Sequence, residues 1–301
     1  MQSASNYAKI YENDREWDVD LDKLLIVDGN NLLFQFFYGF PAKIHNKSGR
    51  TIHATIGFIS AFQCMIRRYQ IDRAVVVFDC DCSTERKELY EDYKANRPKD
   101  WDSLPPDEVP FFEEEYIRKC LEYLGVCVLD SKKMEADDLI ASIALEESET
   151  SKVYILSYDS DFFQLLRENI SIIRYKGENT KTISLQSFCE KFGFCPSSYP
   201  LYKALVGDSA DNVKGVPMVG AKRATMIVKE CEDFARLCES ELLFLPLKAR
   251  ESVKDSLAIV ERNLALIELK KKEIATSAFD FDKDKLEMRN SQILTACKVF
   301  G

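Results

Sequence analysis

Apolar residues fall into two different rhythms along this chain. Short unbroken runs, LLIVD at 24–28, AVVVFD at 74–79, VCVLD at 126–130, VYILSYD at 153–159 and ISIIRY at 170–175, end at charged or turn-forming residues. Continuous Val/Ile/Leu runs of this length predict strands of a parallel sheet buried on both faces. Between them, apolar residues recur with helical spacing at 54–70, at 111–124 and from 136 onward. After about 185 the pattern is almost wholly helical. The pattern predicts an α/β fold: a mostly parallel sheet core flanked by helices, with a helical second half packed on it. The expected divisions are a polar extension at 1–22, an α/β core at 23–184 and a helical region at 185–301. One segment breaks the rhythm. Residues 80–110 are charged and carry Pro98, Pro105, Pro106 and Pro110. Structureless segments this long are uncommon inside compact domains and point to a functional loop.

Composition excludes several classes. The chain has 301 residues, 46% hydrophobic and 30% charged, as expected of a soluble globular protein. Its apolar runs are too short to cross a bilayer, and its first residues form neither a signal peptide nor a transit peptide. The expectation is a cytoplasmic or organelle-internal protein with no membrane partner. Ten cysteines form no C-x-x-C pair and there are only two histidines, so a zinc site is not expected. A net charge of −9 argues against a nucleic-acid partner, unless the acids are gathered where cations bind and reverse the local field.

The acids are gathered. In parallel sheets, ligands bind at the carboxyl ends of the strands. The first strand ends in Asp28, the second in Asp79 and the fourth in Asp159, with Asp161 beyond it. Asp159 and Asp161, two apart, share one side if the segment is extended. The stretch SKKMEADDLIAS (131–142) follows the third strand. Taken alone, Glu135, Asp137 and Asp138 are the acids of an ordinary helix start. Four strand ends carrying acids together require cations, since like charges this close repel. Oxygen-rich, histidine-poor donor sets suit Mg²⁺ or Mn²⁺. Paired ions about 3.5–4 Å apart are common machinery for phosphodiester hydrolysis.

The second half adds YKALVGDSADNVKGVPMVGAKRATMIVKE (202–230). Asp208 and Asp211 share a face if helical. Gly215, Pro217 and Gly220 then lead into a helix bearing Lys222 and Arg223, a start that presents N–H groups and cations to a phosphate. In the irregular segment, Arg86, Lys87, Lys94, Arg97 and Lys99 are mixed with Tyr90 and Tyr93, cations for phosphates and rings for unpaired bases.

These segments, LIVDGNNLLF, NKSGRTIHATIGF, VVFD, RKELYEDYKANRP, EADDLIA, SYDSDFFQLL and GDSADNVKGVPMVGAKRA, occur in the order found in the 5′-nuclease superfamily. The chain resembles the 5′→3′ exonuclease domain of DNA polymerase I and the stand-alone flap endonucleases from about 23 to about 275. The resemblance implies metal-dependent cleavage near 5′ ends of DNA. Its substrates would be flaps, gaps, nicks, single-stranded 5′ arms or RNA-primed ends, cut by a monomer that leaves 5′-phosphates. It implies two Mg²⁺ or Mn²⁺, with Asp28, Asp79, Glu135, Asp137 and Asp138 in one cluster and Asp159, Asp161, Asp208 and Asp211 in the other.

The resemblance further implies that Lys94 and Arg97 act on the scissile phosphate and that Tyr93 stacks on a base. Arg86 and Tyr90 join these as DNA contacts in an arch at 80–110, and residues 39–57 resemble the region that wedges against the duplex end. Residues 202–230 would form a helix–hairpin–helix clamp gripping DNA through Gly215, Val216, Gly220, Lys222 and Arg223. Its K⁺ would be held by carbonyls at Val213, Val216 and Val219. Met218 stands where the family pattern has glycine, which matters if the position needs positive φ. The chain ends soon after the resembling region, so a stand-alone nuclease is expected. Two other readings are a PIN-like ribonuclease, whose domains are usually shorter and lack the hairpin, and an inactive DNA-junction binder, which would have lost some of the acids.

Overall fold

The computed structural model describes residues 21–80, 85–96, 101, 103–132 and 134–272. Most of the polar extension, Arg97, parts of the segment expected to form an arch and the last residues lie outside this set. The apolar runs form β1 (Lys23–Asp28), β2 (Arg73–Phe78), β3 (Cys127–Asp130), β4 (Lys152–Leu156) and β5 (Ile170–Arg174). A sixth strand, β6 (Lys181–Ile183), was not foreseen, because three residues of mixed polarity carry no strand period. The sheet order is β3-β2-β1-β4-β5-β6, parallel except for β6. This is a doubly wound order, and the chain reverses direction between β1 and β4.

Alternation along the strands builds two cores. Leu24, Ile26, Val75, Val77, Val153 and Ile155 face one core, and Leu25, Val27, Val76, Phe78, Tyr154 and Leu156 face the other. α1 (Gly29–Gly39), α2 (His53–Tyr69) and α4 (Phe111–Tyr123) cover the second face. α5 (Ala136–Glu147) and the helical half cover the first. The short α3 (Glu85–Leu89) stands between β2 and α4, in the irregular segment.

The helical half comprises α6 (Leu185–Phe192), α7 (Tyr199–Val206), α8 (Ala221–Cys231), α9 (Phe234–Glu239), α10 (Leu247–Asp255) and α11 (Leu257–Ile267). Ser184 caps α6 by accepting from the Ser187 N–H while Ser187 Oγ accepts from the Ser184 N–H. Between α7 and α8 lies a two-stranded hairpin, β7 (Gly207–Asp208) paired with β8 (Val213–Lys214). Asp208 and Asp211 therefore sit on a hairpin and its turn rather than on a helix face. Gly207, at φ 87°, ends α7. A Cβ on Gly207 would lie 2.4 Å from Gly215 N, and one on Gly215 2.3 Å from the Val206 carbonyl. Only two glycines allow the hairpin arms to approach this closely. Among the described residues, no helix is long and apolar enough to cross a membrane, and every described cysteine is a free thiol.

Candidate metal and DNA site

The site lies at the carboxyl edge of the sheet, around the reversal between β1 and β4. Asp28, nearly buried, caps α1: its Oδ1 accepts the Asn31 N–H at 3.1 Å and its Oδ2 accepts Ser157 Oγ at 2.8 Å. Asn30 and Asn31 tie the neighbouring strand ends to it. Asn30 Oδ1 accepts the Asp79 N–H at 2.7 Å and Asn31 Oδ1 accepts the Tyr158 N–H at 3.0 Å. The Asn pair of the GNN turn thus fixes the spacing of three acid-bearing strands, a role the sequence reading left unassigned.

Asp79 accepts from Ser131 Oγ at 3.0 Å and from the Ala136 N–H at 3.3 Å, at the start of α5. β4 ends at Leu156, so Asp159 and Asp161 are not on an extended strand as expected. Asp159 Oδ1 instead accepts the Asp161 N–H at 2.8 Å, a local turn entering a 3₁₀ helix. Asp161, Asp208 and Asp211 each bring a carboxylate oxygen within 4.8 Å of the others.

The acids repel one another, and Asp28, Glu135 and Asp161 are buried. Burial pushes the Asp28 carboxyl up to about 6, with repulsion from Asp159 and Asp79 added and the Asn31 and Ser157 hydrogen bonds opposing. Burial pushes Asp161 up to about 7, reinforced by Asp159 and opposed by Lys203. Asp137 is raised well above the usual range by burial and by Asp159, Asp28 and Glu135, with Lys94 opposing. Asp79 is raised by burial and by Glu135, with Ser131 and Lys94 opposing. Asp159 repels Asp28, Asp137 and Asp161 alike, so the two groups of acids form one electrostatic unit. For Asp208, burial pushes upward, but Lys203 outweighs it and holds the carboxyl low. The donor set is all oxygen and its charge is incompletely compensated, which fits divalent metal ions.

Two lysines enter this field. Lys94 Nζ lies 2.8 Å from Glu135 Oε2. Its side chain is one-tenth exposed, so it is not the open loop residue that the irregular segment suggested. Lys203, on α7, is buried and places its ammonium on both Asp161 and Asp208. Sequence reading passed over Lys203, although it lies five residues before Asp208, where one turn of helix and a tight hairpin bring the two together.

Three expectations do not fit their surroundings. Asp138 does not stand among free acceptors: Arg86 binds both its oxygens, at 2.9 and 3.0 Å, and the Lys270 N–H takes Oδ1 at 2.9 Å. Arg86, expected on DNA, is 4% exposed. Tyr93, expected to stack on a base, is buried with its hydroxyl toward Glu135 and Asp211 at 3.3 and 3.4 Å. Tyr90 is half-buried beneath the Arg262 guanidinium, 4.2 Å from its ring centre. Lys222 and Gly220 are exposed and Arg223 half-buried at the start of α8. Val213, Val216 and Val219 are buried, and Gly215 faces Gly207. Met218 has φ 64°, a conformation that glycine adopts without strain.

The irregular 80–110 segment and the hairpin touch. The Lys94 N–H donates to the Asp211 carbonyl at 3.0 Å, Asn96 Nδ2 to the Ser209 carbonyl at 3.1 Å and Asn212 Nδ2 to the Asp92 carbonyl at 2.9 Å.

Residues 23–193 match the family described as 5′–3′ exonuclease, N-terminal resolvase-like domain, and residues 194–292 match its C-terminal SAM fold. The 5′–3′ exonuclease of Aquifex aeolicus is 31% identical over 91% of this chain and 94% of its own length. That of Bacillus subtilis is 32% identical over 82% of this chain and 83% of its own. Among solved structures, a variant of the bacteriophage T5 flap endonuclease, in a pseudo-enzyme-product complex with DNA and metal ions, superposes with a TM-score of 0.65 at 25% identity. That match covers 92% of this chain and 99% of the phage protein. A doubly wound sheet with an acid-lined carboxyl edge and a helical second half defines a nuclease of the 5′-nuclease superfamily. The chain belongs to the 5′–3′ exonuclease family.

Proposed function

We propose that the protein hydrolyses phosphodiester bonds near the 5′ ends of DNA, at flaps, gaps, nicks or single-stranded 5′ arms, leaving 5′-phosphates and acting as a monomer. The observation carrying this reading is the gathering of Asp28, Asp79, Asp137, Asp159 and Asp161 at one sheet edge, with the Asp208–Asp211 hairpin and Lys94 beside them. Two divalent cations, Mg²⁺ or Mn²⁺, would be held by Asp28, Asp79, Glu135 and Asp137 on one side and by Asp159, Asp161, Asp208 and Asp211 on the other. Asp138, already bound by Arg86, is left out of this set. Such ions, when bound, supply Lewis-acid stabilisation of the phosphoryl oxygens and lower the pKa of water.

The chain's own groups do the rest. The carboxylates, fixed by Asn30, Asn31, Ser131 and Ser157, hold charge in place before substrate arrives, so little reorganisation is needed during the reaction. Lys94 lies next to Glu135 on the arch, where its ammonium meets the developing charge of a phosphate entering the edge. Arg97 would assist it. Lys222, Arg223 and the N–H groups opening α8 suit a duplex phosphate, so the hairpin and α8 form a DNA clamp. A K⁺ on the carbonyls of Val213, Val216 and Val219 belongs to the same proposal.

The test is cleavage of a 5′-labelled flap DNA and of gapped, nicked, RNA-primed and single-stranded substrates with Mg²⁺, products being mapped to the nucleotide. Cutting at the junction of duplex and 5′ arm is expected. Absence of cutting with both Mg²⁺ and Mn²⁺ would reject the reading, and preference for RNA lacking any duplex would favour the PIN-like alternative. Binding without cutting would favour the junction binder.

A further inference from the structure

Arg86 is a long cation on a short helix in the DNA-facing segment, yet its guanidinium is turned inward. Nη1 and Nη2 donate to Asp138 Oδ2 and Oδ1 at 3.0 and 2.9 Å, the two-pronged arrangement that guanidinium and carboxylate planes favour. Nη2 also donates to the Glu268 carbonyl at 3.0 Å, and Nη1 stands 3.2 Å from Glu135 Oε2. Glu135, the N-cap of α5, and Asp138, on its first turn, are three residues apart. One guanidinium therefore spans the turn that carries the candidate metal acids.

The segment after α11 closes over this pair. The Lys270 N–H donates to Asp138 Oδ1 at 2.9 Å, and the Lys272 N–H to Ser142 Oγ at 3.0 Å. Ser142 Oγ in turn donates to the Asp138 carbonyl at 2.7 Å. Lys270 Nζ reaches Glu85 Oε2 at 3.0 Å, on the residue before Arg86. A strap from the far end of the described chain is thus laced to α5 and to the foot of the arch.

From that foot, residues 86–94 return to α5. The Tyr90 N–H donates to the Arg86 carbonyl and the Tyr93 N–H to the Tyr90 carbonyl, each at 3.0 Å. The compact path ends with Lys94 Nζ on Glu135 Oε2. Arg86 and Lys94 share that one oxygen, so the position of either depends on the other.

We propose that Arg86, clasped by Asp138 and the 268–272 strap, is a positioning residue that holds the arch so that Lys94 faces the site. Asp138 serves this clasp and holds no metal ion. The proposal rests on the nuclease reading above, and it predicts behaviour that differs from that of a metal ligand or a DNA contact. Lysine in place of arginine keeps the charge and loses the fork. Misplacing a reacting group by about 1 Å costs up to about 10²-fold in rate.

The experiment compares wild type, Arg86→Lys, Asp138→Asn and Asp79→Asn in the full chain. It measures single-turnover flap cleavage, KM, Mg²⁺ binding by calorimetry and hydrogen exchange of residues 85–96. Arg86→Lys and Asp138→Asn are each expected to slow turnover by about tenfold or more, with KM and Mg²⁺ affinity within about twofold of wild type. Exchange at 85–96 is expected to rise in both. Asp79→Asn, the ligand control, is expected to weaken Mg²⁺ binding. Weakened Mg²⁺ binding in Asp138→Asn with unchanged exchange would make Asp138 a ligand and overturn the clasp. A raised KM at unchanged turnover in Arg86→Lys would make Arg86 a DNA contact and overturn it too. So would normal turnover and exchange in both variants. If wild type itself does not cut, the nuclease reading fails, while exchange at 85–96 still decides whether the clasp exists.

Discussion

Lys94 and Glu135 meet at 2.8 Å, joining the irregular 80–110 segment to the N-cap of α5. The contact holds an ammonium beside the carboxylates, where a phosphate would enter. Glu135 keeps a second cation, Arg86, when Lys94 is removed. Lys94→Ala should therefore fold normally while turnover falls by about 10²-fold, the loss typical when one preorganised donor to developing charge is deleted. Single-turnover cleavage beside a thermal melt checks this. A drop in Tm matching the drop in activity would make Lys94 a structural residue.

Lys203 is the buried counter-charge of Asp161 and Asp208. Replacing it by methionine leaves two partly buried carboxylates unpaired. Breaking a buried pair in this way costs about 3–5 kcal/mol. The expected outcome is a large fall in Tm in EDTA that Mg²⁺ largely reverses, since a cation bound to the folded state supplies the missing charge. Thermal unfolding of Lys203→Met with and without Mg²⁺ decides it. An equal fall in both conditions would mean that Lys203 supports packing alone.

The raised carboxyls set a pH dependence. Asp28 and Asp161 titrate near 6 and 7 when folded, against 3.8 for an unperturbed carboxyl. Between about pH 4 and 7 the folded chain thus holds more protons than the unfolded one, and these groups lose stability as the pH rises through that window. Asp208, held low by Lys203, acts in the opposite sense and loses its contribution as the pH falls below the ordinary carboxyl range. The cation-free protein should become less stable from about pH 4 to about pH 7, and saturating Mg²⁺ should flatten the slope. Denaturant titrations at several pH values, with and without Mg²⁺, measure it. A slope indifferent to Mg²⁺ would separate these acids from cation binding.

The carboxyl edge was legible in the sequence because a parallel sheet places the ends of all its strands on one side. Four apolar runs ending near acids were enough to bring Asp28, Asp79, Asp137 and Asp159 together. The ionic neighbours were not legible. Arg86 and Asp138 are 52 residues apart, and Lys203 and Asp161 are 42. Nothing in local period says which buried charge will find which. Asp208 and Asp211 had helical spacing but lie on a hairpin, because Gly207 leaves α7 with positive φ and meets Gly215 backbone to backbone. The end of β4 at Leu156 was hidden for a related reason. Ser157 Oγ there donates to Asp28, a side-chain partner that the strand period does not reveal.

The hairpin offers two opposite substitutions. Gly215→Ala puts a methyl 2.3 Å from the Val206 carbonyl, which only a backbone shift relieves. That shift should cost on the order of 3 kcal/mol and should carry Asp208 and Asp211 away from Asp161, lowering activity beyond the loss of stability. Met218→Gly does the reverse. Met218 is half exposed, so its side chain buries little, but its φ of 64° strains a residue with a Cβ. Glycine there should stabilise the fold by about 1 kcal/mol, the usual cost of a left-handed non-glycine residue. In a chain of 301 residues that raises Tm by about 1–2 °C. Melts of both variants, with flap cleavage at a temperature where all are folded, test the pair. A lower Tm for Met218→Gly would mean that the methionine side chain holds the loop by contacts that outweigh its strain.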